Sequence, residues 1–229
     1  MDAFSPNMFQ LICFYDHSMV VIISIVAFLF MFMLDISFNK VLNMGLLEGQ
    51  IIEMIWTILP MFLLVFIAIP SLRLLYLMEE NFFDDFSLKV TGHQWFWSYS
   101  YGDISGDDEK DCPLAQNYFQ ILAESDFSEC YRLLDTDGCF FVPNFTSVRV
   151  LVTSADVIHC WSIPSMGVKT DAVPGRLNQV NLHSTDIGLF FGQCAEICGT
   201  YHSFMPIKMK ILNWNEFLVW LSELDIIEV

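Results

Sequence analysis

The stretch Gly192-Gln-Cys194-Ala-Glu196-Ile-Cys198-Gly-Thr-Tyr-His202-Ser-Phe-Met205-Pro206 places two thiols, an imidazole and a thioether in one loop. His159 adds a second imidazole 35 residues before Cys194. Thiolate and thioether donors are soft and select copper, and a weak thioether beside Cys and His marks electron-transfer copper. A mononuclear site of that kind needs only one Cys. Two thiolates can bridge two ions, and two histidines can then cap one ion each. The pattern predicts a dinuclear copper centre built from His159, Cys194, Cys198, His202 and Met205. A lone Met or His is usually a core residue, but five donors together are not explained that way. Zinc is the better rival, since two Cys and two His complete a tetrahedral structural site. Met205 has no role there, and zinc exchanges no electrons.

One ligand from an earlier strand and a cluster from a late loop can converge at one end of a β-sandwich. The surrounding sequence fits. Residues 88–101 are rich in strand formers. Further short strand candidates are 139–142, 147–153, 157–163, 178–183, 188–192 and 205–212, separated by Pro, Gly, Asn or Asp. Residues 102–117 read as an exposed Gly/Asp-rich loop. A helix is expected over 214–225, with Asn213 as N-cap and Glu216 at the third helical position.

The chain has 229 residues, is 55% hydrophobic and carries a net charge of −17. Its mean hydropathy is +0.50. These values conflict for a simple soluble globule. They are reconciled if apolar and acidic excess occupy different segments. Residues 18–38 form an apolar run with only Asp35 charged, and 54–78 form a second, containing Pro60, Pro70 and Arg73. Each is long enough for a membrane span, which takes about 20 helical residues. Prolines are tolerated in packed membrane helices, and Arg73 can snorkel to the interface. Residues 79–229 hold 22 acidic and 8 basic residues. They are read as one folded domain outside the bilayer, preceded by a 1–17 segment and the 18–78 hairpin. Two spans put both ends on one side. Lys40 is the only base in the 39–53 loop, so charge does not set the orientation. The first apolar run is too long for a cleavable signal core. Cys112, Cys130 and Cys139 have no framework spacing; a disulfide among them competes with the reading of small buried hydrophobes.

The chain resembles subunit II of the haem–copper cytochrome c oxidases over most of its length. The resemblance rests on Trp56-Thr-Ile-Leu-Pro60, Pro70-Ser-Leu-Arg73, Gly92-His-Gln-Trp95-Phe-Trp97-Ser-Tyr, Asp156-Val-Ile-His159, Lys169-Thr-Asp171-Ala-Val-Pro-Gly-Arg176-Leu-Asn-Gln and the copper loop. It implies a membrane-anchored α+β chain: a two-helix transmembrane hairpin, then a cupredoxin-like Greek-key β-sandwich or barrel. It implies that Cys194 and Cys198 bridge both ions of a copper A centre. His159 and Met205 then complete one copper, and His202 and the carbonyl of Glu196 the other. The Glu196 carboxylate and Asp171 match a magnesium site shared with subunit I, and a carboxylate is a suitable hard ligand. Trp95 matches the electron-entry residue, Asp137 and Asp156 match acidic docking positions for cytochrome c, and Glu53 matches the mouth of a proton channel into subunit I. The resemblance also implies the mitochondrial inner membrane with the copper domain in the intermembrane space, or a bacterial plasma membrane with a periplasmic domain. A basic protein partner suits the acidic surface; nucleic acid is not expected. Oxygen reduction belongs to subunit I, not to this chain alone.

The sequence departs from the family pattern in places. Ser100 stands where a docking Glu is usual, and Cys139 where an Arg is usual. Residues 102–130 do not follow the usual sequence, although Asp103, Asp107, Asp108, Glu109 and Asp111 can restore charge. Cys160 follows the ligand His159, and strand alternation points it away from copper. Three other readings compete. A quinol oxidase subunit of the same fold lacks the copper ligands that are present here. A nitrous oxide reductase domain lacks the hairpin. A zinc-stabilised membrane receptor domain would leave Met205 without a role.

Overall fold

In the computed structural model, the described residues are 2–41, 44–45, 47–79, 84–102, 118–120 and 131–227. The predicted 102–117 loop and the acidic residues within it, with Cys112 and Cys130, lie outside them, Gly102 excepted. Two compact units form. One is Gln10–Leu77; the other joins Met1–Phe9 to Met78–Val229.

The first unit is a helical hairpin. Helix α1 spans Pro6–Phe38 and α2 spans Gln50–Glu79. At 33 and 30 residues, each exceeds the ~20 residues that cross a hydrocarbon core. Within these helices only Leu74 is buried. The outward face is Phe, Leu, Ile, Val and Met, such as Phe28, Met31, Ile51 and Leu64. Apolar side chains exposed all round a helix call for lipid or for other membrane helices.

The second unit is a β-sandwich of two five-stranded sheets. One holds β3 (Tyr118–Gln120), β2 (Phe96–Gly102), β1 (Phe86–His93), β5 (Ser147–Ser154) and β8 (Asn178–His183), in that order. The other holds β4 (Phe140–Pro143), β10 (Pro206–Leu212), β9 (Gly188–Cys194), β6 (His159–Ile163) and β7 (Val168–Ala172). This is the cupredoxin-like architecture expected. Residues 88–101 are not one strand but a hairpin, with Gln94 and Trp95 between β1 and β2 and His93 paired with Phe96. β6 starts at His159 because the preceding residues form a turn: the Val157 amide donates to Asp156 Oδ1 at 2.6 Å and the Asp156 amide to Ser154 Oγ at 3.3 Å.

Alternation along the strands builds the core. β2 buries Trp97, Tyr99 and Tyr101, and β5 buries Val148, Val150 and Val152. Tyr99 stacks on Phe140 at 4.4 Å, and the Trp161 indole donates to Tyr99 Oη at 3.4 Å across the sandwich. Helix α3 (Trp214–Ile227) begins as expected, with the Phe217 amide donating to the Asn213 carbonyl. It buries Phe217 against Phe86 and lays Trp220 on Phe141 and Tyr101. Residues 4 and 5 belong to this unit too: Ser5 Oγ donates to the Met166 carbonyl at 2.7 Å while accepting from the Met8 amide as the cap of α1.

Candidate metal centre

β6 and β9 run antiparallel, as do β9 and β10. The start of β6, the end of β9 and the start of β10 therefore lie at the same end of one sheet. His159 opens β6, Cys194 closes β9 and Met205 precedes β10. The loop 195–205 returns over this end and carries Cys198 and His202. The connectivity alone brings ligands from distant sequence positions together.

The ligand atoms of His159, Cys194 and Cys198 lie within 4.8 Å of one another, and all three residues are buried. Cys194 Sγ is 3.9 Å from His159 Nδ1, 4.0 Å from Cys198 Sγ and 3.2 Å from the Glu196 carbonyl oxygen. Cys198 Sγ is 3.5 Å from His202 Nδ1 and 3.4 Å from Met205 Sδ. Ligands sharing one ion at about 2.0–2.3 Å in a tetrahedral array stand roughly 3.3–3.8 Å apart. The separations of 3.2–4.0 Å bracket that range, and Cys194 and Cys198 each reach three other donors. The set is sulfur and imidazole, which suits copper and not a hard cation. Cys160 is excluded from the cluster. Its buried thiol is pushed up to about 12, first by burial and then by Asp171, its partner across β6–β7.

Burial raises the thiols, but the Cys194 thiol comes down to about 7 through hydrogen bonds with His159, the backbone of Cys160 and Glu196, and His202. Cys198 moves the other way, to about 12, first through burial and then through the negative charge on Cys194. The thiolate formed at Cys194 thus holds the second proton, on Cys198, in place. A metal that takes both thiolates must displace that second proton, so binding releases protons.

Asp156 has a role that the sequence did not suggest. Its Oδ1 is 2.8 Å from His159 Nε2, the ring nitrogen that faces away from Cys194. Its Oδ2 accepts from the Gln94 amide at 2.6 Å. A carboxylate on the far nitrogen fixes tautomer and ring orientation of a metal-binding imidazole. The usable signal was a carboxylate in the turn three residues before a ligand His. Burial opposes ionisation of Asp156, but bonds from His159, Val157 and Gln94 hold its carboxyl below the usual 3.8. Its stabilisation is therefore present above pH ~3.8 and fades as pH falls through the lower folded value. In metal-free protein, Asp156→Ala should lower neutral-pH stability by about 1 kcal/mol and flatten stability against pH below about 4. Urea titrations at a series of pH values check this; equal slopes for both proteins would refute it.

Trp95 lies against the 195–205 loop. It is half-buried, and its ring meets Tyr201 edge-on at 5.0 Å. A Cβ on Gly199 would come within 3.1 Å of the Trp95 ring, and Gly199 has a φ of 133°. Glycine is required there twice over. Beside it, the Gln94 side-chain amide donates to the Cys198 carbonyl at 2.9 Å. Neither contact was read from the sequence. Among the other expected site residues, Glu196, Asp171 and Asp137 are exposed on the β-sandwich. Glu53 is exposed in the first turn of α2, where a carboxylate suits the helix dipole.

Residues 86–212 match the family model described as cytochrome c oxidase subunit II, periplasmic domain, and residues 1–74 match its transmembrane domain. Cytochrome c oxidase subunit 2 of Yponomeuta malinellus is 47% identical over 95% of this chain and 92% of its own length. That of Myxine glutinosa is 43% identical over 98% of this chain and 96% of its own. Among solved structures, the periplasmic domain of cytochrome oxidase subunit II of Bradyrhizobium japonicum is 37% identical with a TM-score of 0.56, covering 64% of this chain and 97% of that one. The chain belongs to the cytochrome c oxidase subunit II family.

Proposed function

We propose that this chain is the electron-entry subunit of a cytochrome c oxidase, receiving electrons from cytochrome c and delivering them to haem in subunit I. The convergence of His159, Cys194, Cys198, His202 and Met205 at one sheet end carries the reading. Cys194 and Cys198 would hold two coppers jointly, with His159 and Met205 on one and His202 and the Glu196 carbonyl on the other. Two coppers held by shared thiolates would supply a one-electron carrier. The chain's own residues do the rest. Burial of His159, Cys194, Cys198 and Met205 shields the donor cluster from water. The Asp156 carboxylate holds the His159 ring in place. Trp95, packed on the loop at Gly199, offers an aromatic contact to a docked haem. Asp137 and Asp156, on a chain of net charge −17, steer a basic partner.

The two apolar helices support a membrane-spanning hairpin with the β-domain outside the bilayer, and the similarity to the subunits of Yponomeuta malinellus and Myxine glutinosa supports the mitochondrial inner membrane; a bacterial plasma membrane suits the same architecture. The Glu196 carboxylate and Asp171 would contribute to a magnesium site shared with subunit I, and Glu53 to the mouth of a proton channel.

Copper content and the optical spectrum of the full chain test the reading. Two coppers per chain with mixed-valence absorption are expected, whereas one zinc without colour would overturn it. Met205→Leu should retain both coppers and cost less than about 1.5 kcal/mol, because the swap nearly conserves volume. Its reduction potential should still shift, since a thioether ligand is lost. A redox titration checks this, and an unchanged potential would remove Met205 from the ligand set.

A further inference from the structure

The helical hairpin contains a cavity of about 330 Å³ that plays no part in copper binding or electron entry. Its polar wall is Gln10, His17 and Arg73, and its apolar wall includes Phe14, Leu74 and Leu77. We propose that this cavity binds the phosphate of a membrane phospholipid.

His17 Nε2 is buried without a hydrogen-bond partner, while the ring rests on Phe66 at 4.8 Å. A buried nitrogen left unpaired is costly, so an apolar occupant does not suit the cavity. Arg73 takes part in none of the ion pairs among the described residues. Its guanidinium is a planar fork of donors matched to phosphate oxygens. Gln10 adds an amide, and no carboxylate lines the cavity. The occupant must therefore bring acceptor oxygens and negative charge.

Depth identifies the source. His17 immediately precedes the apolar run 18–38, and Arg73 lies near the end of the run 54–78. The hairpin brings these run ends together on the cavity wall, away from the 39–49 connection. Tyr15 and Tyr76 flank them in sequence and are 60% and 70% exposed. Exposed tyrosines mark the headgroup level of a membrane helix. At that level the abundant phosphate is a phospholipid headgroup, and the exposed apolar faces below it accommodate acyl chains.

The test uses the assembled oxidase containing the full chain, held in phosphatidylcholine nanodiscs doped with phosphatidylglycerol. Phospholipid retained per complex after detergent exchange is counted by native mass spectrometry. Arg73→Gln and His17→Phe should each lose one retained phospholipid, and the double variant should lose no more than one. Copper content should stay unchanged, which separates this proposal from the electron-entry reading. Excess inorganic phosphate should fail to displace the lipid; complete displacement would mean a free-anion site and overturn the proposal. An unchanged lipid count in Arg73→Gln, with weaker retention of a neighbouring subunit, would assign the pocket to a protein carboxylate instead. Should a variant not assemble, the native complex decides alone. A photoactivatable phosphatidylglycerol should label residues 10–17 or 70–77, and labelling confined elsewhere refutes the site.

Discussion

Cys198→Ser should abolish the two-copper centre while leaving the β-sandwich folded. Cys198 Sγ reaches three other donors: Met205 Sδ at 3.4 Å, His202 Nδ1 at 3.5 Å and Cys194 Sγ at 4.0 Å. A serine oxygen is a harder donor and a poor ligand for copper. It also cannot bridge as a thiolate does, so the ions lose their shared electron. Copper should fall from two per chain to at most one. Disrupting mere supporting contacts of a metal site costs 10–100-fold, so oxidation of cytochrome c by the assembled enzyme should drop by more than about 100-fold. The fold should hold, because serine is nearly isosteric and the loop lies outside the strand ladders. Metal analysis, electron paramagnetic resonance and circular dichroism read the three outcomes. A delocalised copper pair persisting in the variant would show that Cys198 does not bridge.

Gly192→Ala should damage the same centre by a purely steric route. Gly192 lies in β9, two residues before Cys194, and pairs with Ile207 of β10. A Cβ there would stand 2.1 Å from the Ser162 carbonyl oxygen, a backbone atom of β6. Backbone cannot swing aside as a long side chain can. β6 and β9 must separate, and that seam sets Cys194 against Trp161 and His159 near Cys194. Overpacking costs typically 1–3 kcal/mol and occasionally more; a backbone clash inside a ladder belongs at about 3 kcal/mol or above. For a chain of this size that lowers the melting temperature by roughly 6–12 °C. Copper affinity should fall in parallel, although no ligand has changed. Thermal unfolding and copper titration of the full chain measure both. A melting temperature within about 2 °C of the parent would mean that the seam yields without strain.

The candidate donors could be picked out directly because coordination chemistry restricts residue type, and the fold brings them within 4.8 Å or less of a neighbouring donor. The hairpin was equally legible from its apolar runs. Other elements left weaker traces. β7 reads Val-Lys-Thr-Asp-Ala, with too little apolar alternation to mark a strand; pairing with β6 makes it one. β3 is three residues long, below the length at which any periodicity registers. The bond from Asp156 to His159 depends on a turn, and the demand for glycine at 192 depends on a neighbouring strand. Both are tertiary facts without a local signature. Asp156 therefore counts as a docking position by resemblance and a positioning residue by geometry. The two roles draw on the same carboxylate, one through its charge and the other through its direction.

Residues 4 and 5 impose an order of events. Ser5 bonds to Met166, 161 positions away, and Phe4 packs on Phe190 at 5.1 Å while its amide donates to the Ser165 carbonyl. A ribosome makes these residues before their partners. They must wait through synthesis of both membrane helices and most of the β-strands before docking. Contacts of such sequence separation form late and slowly. Residues 4 and 5 thus form a clasp that can close only once residue 190 has been made.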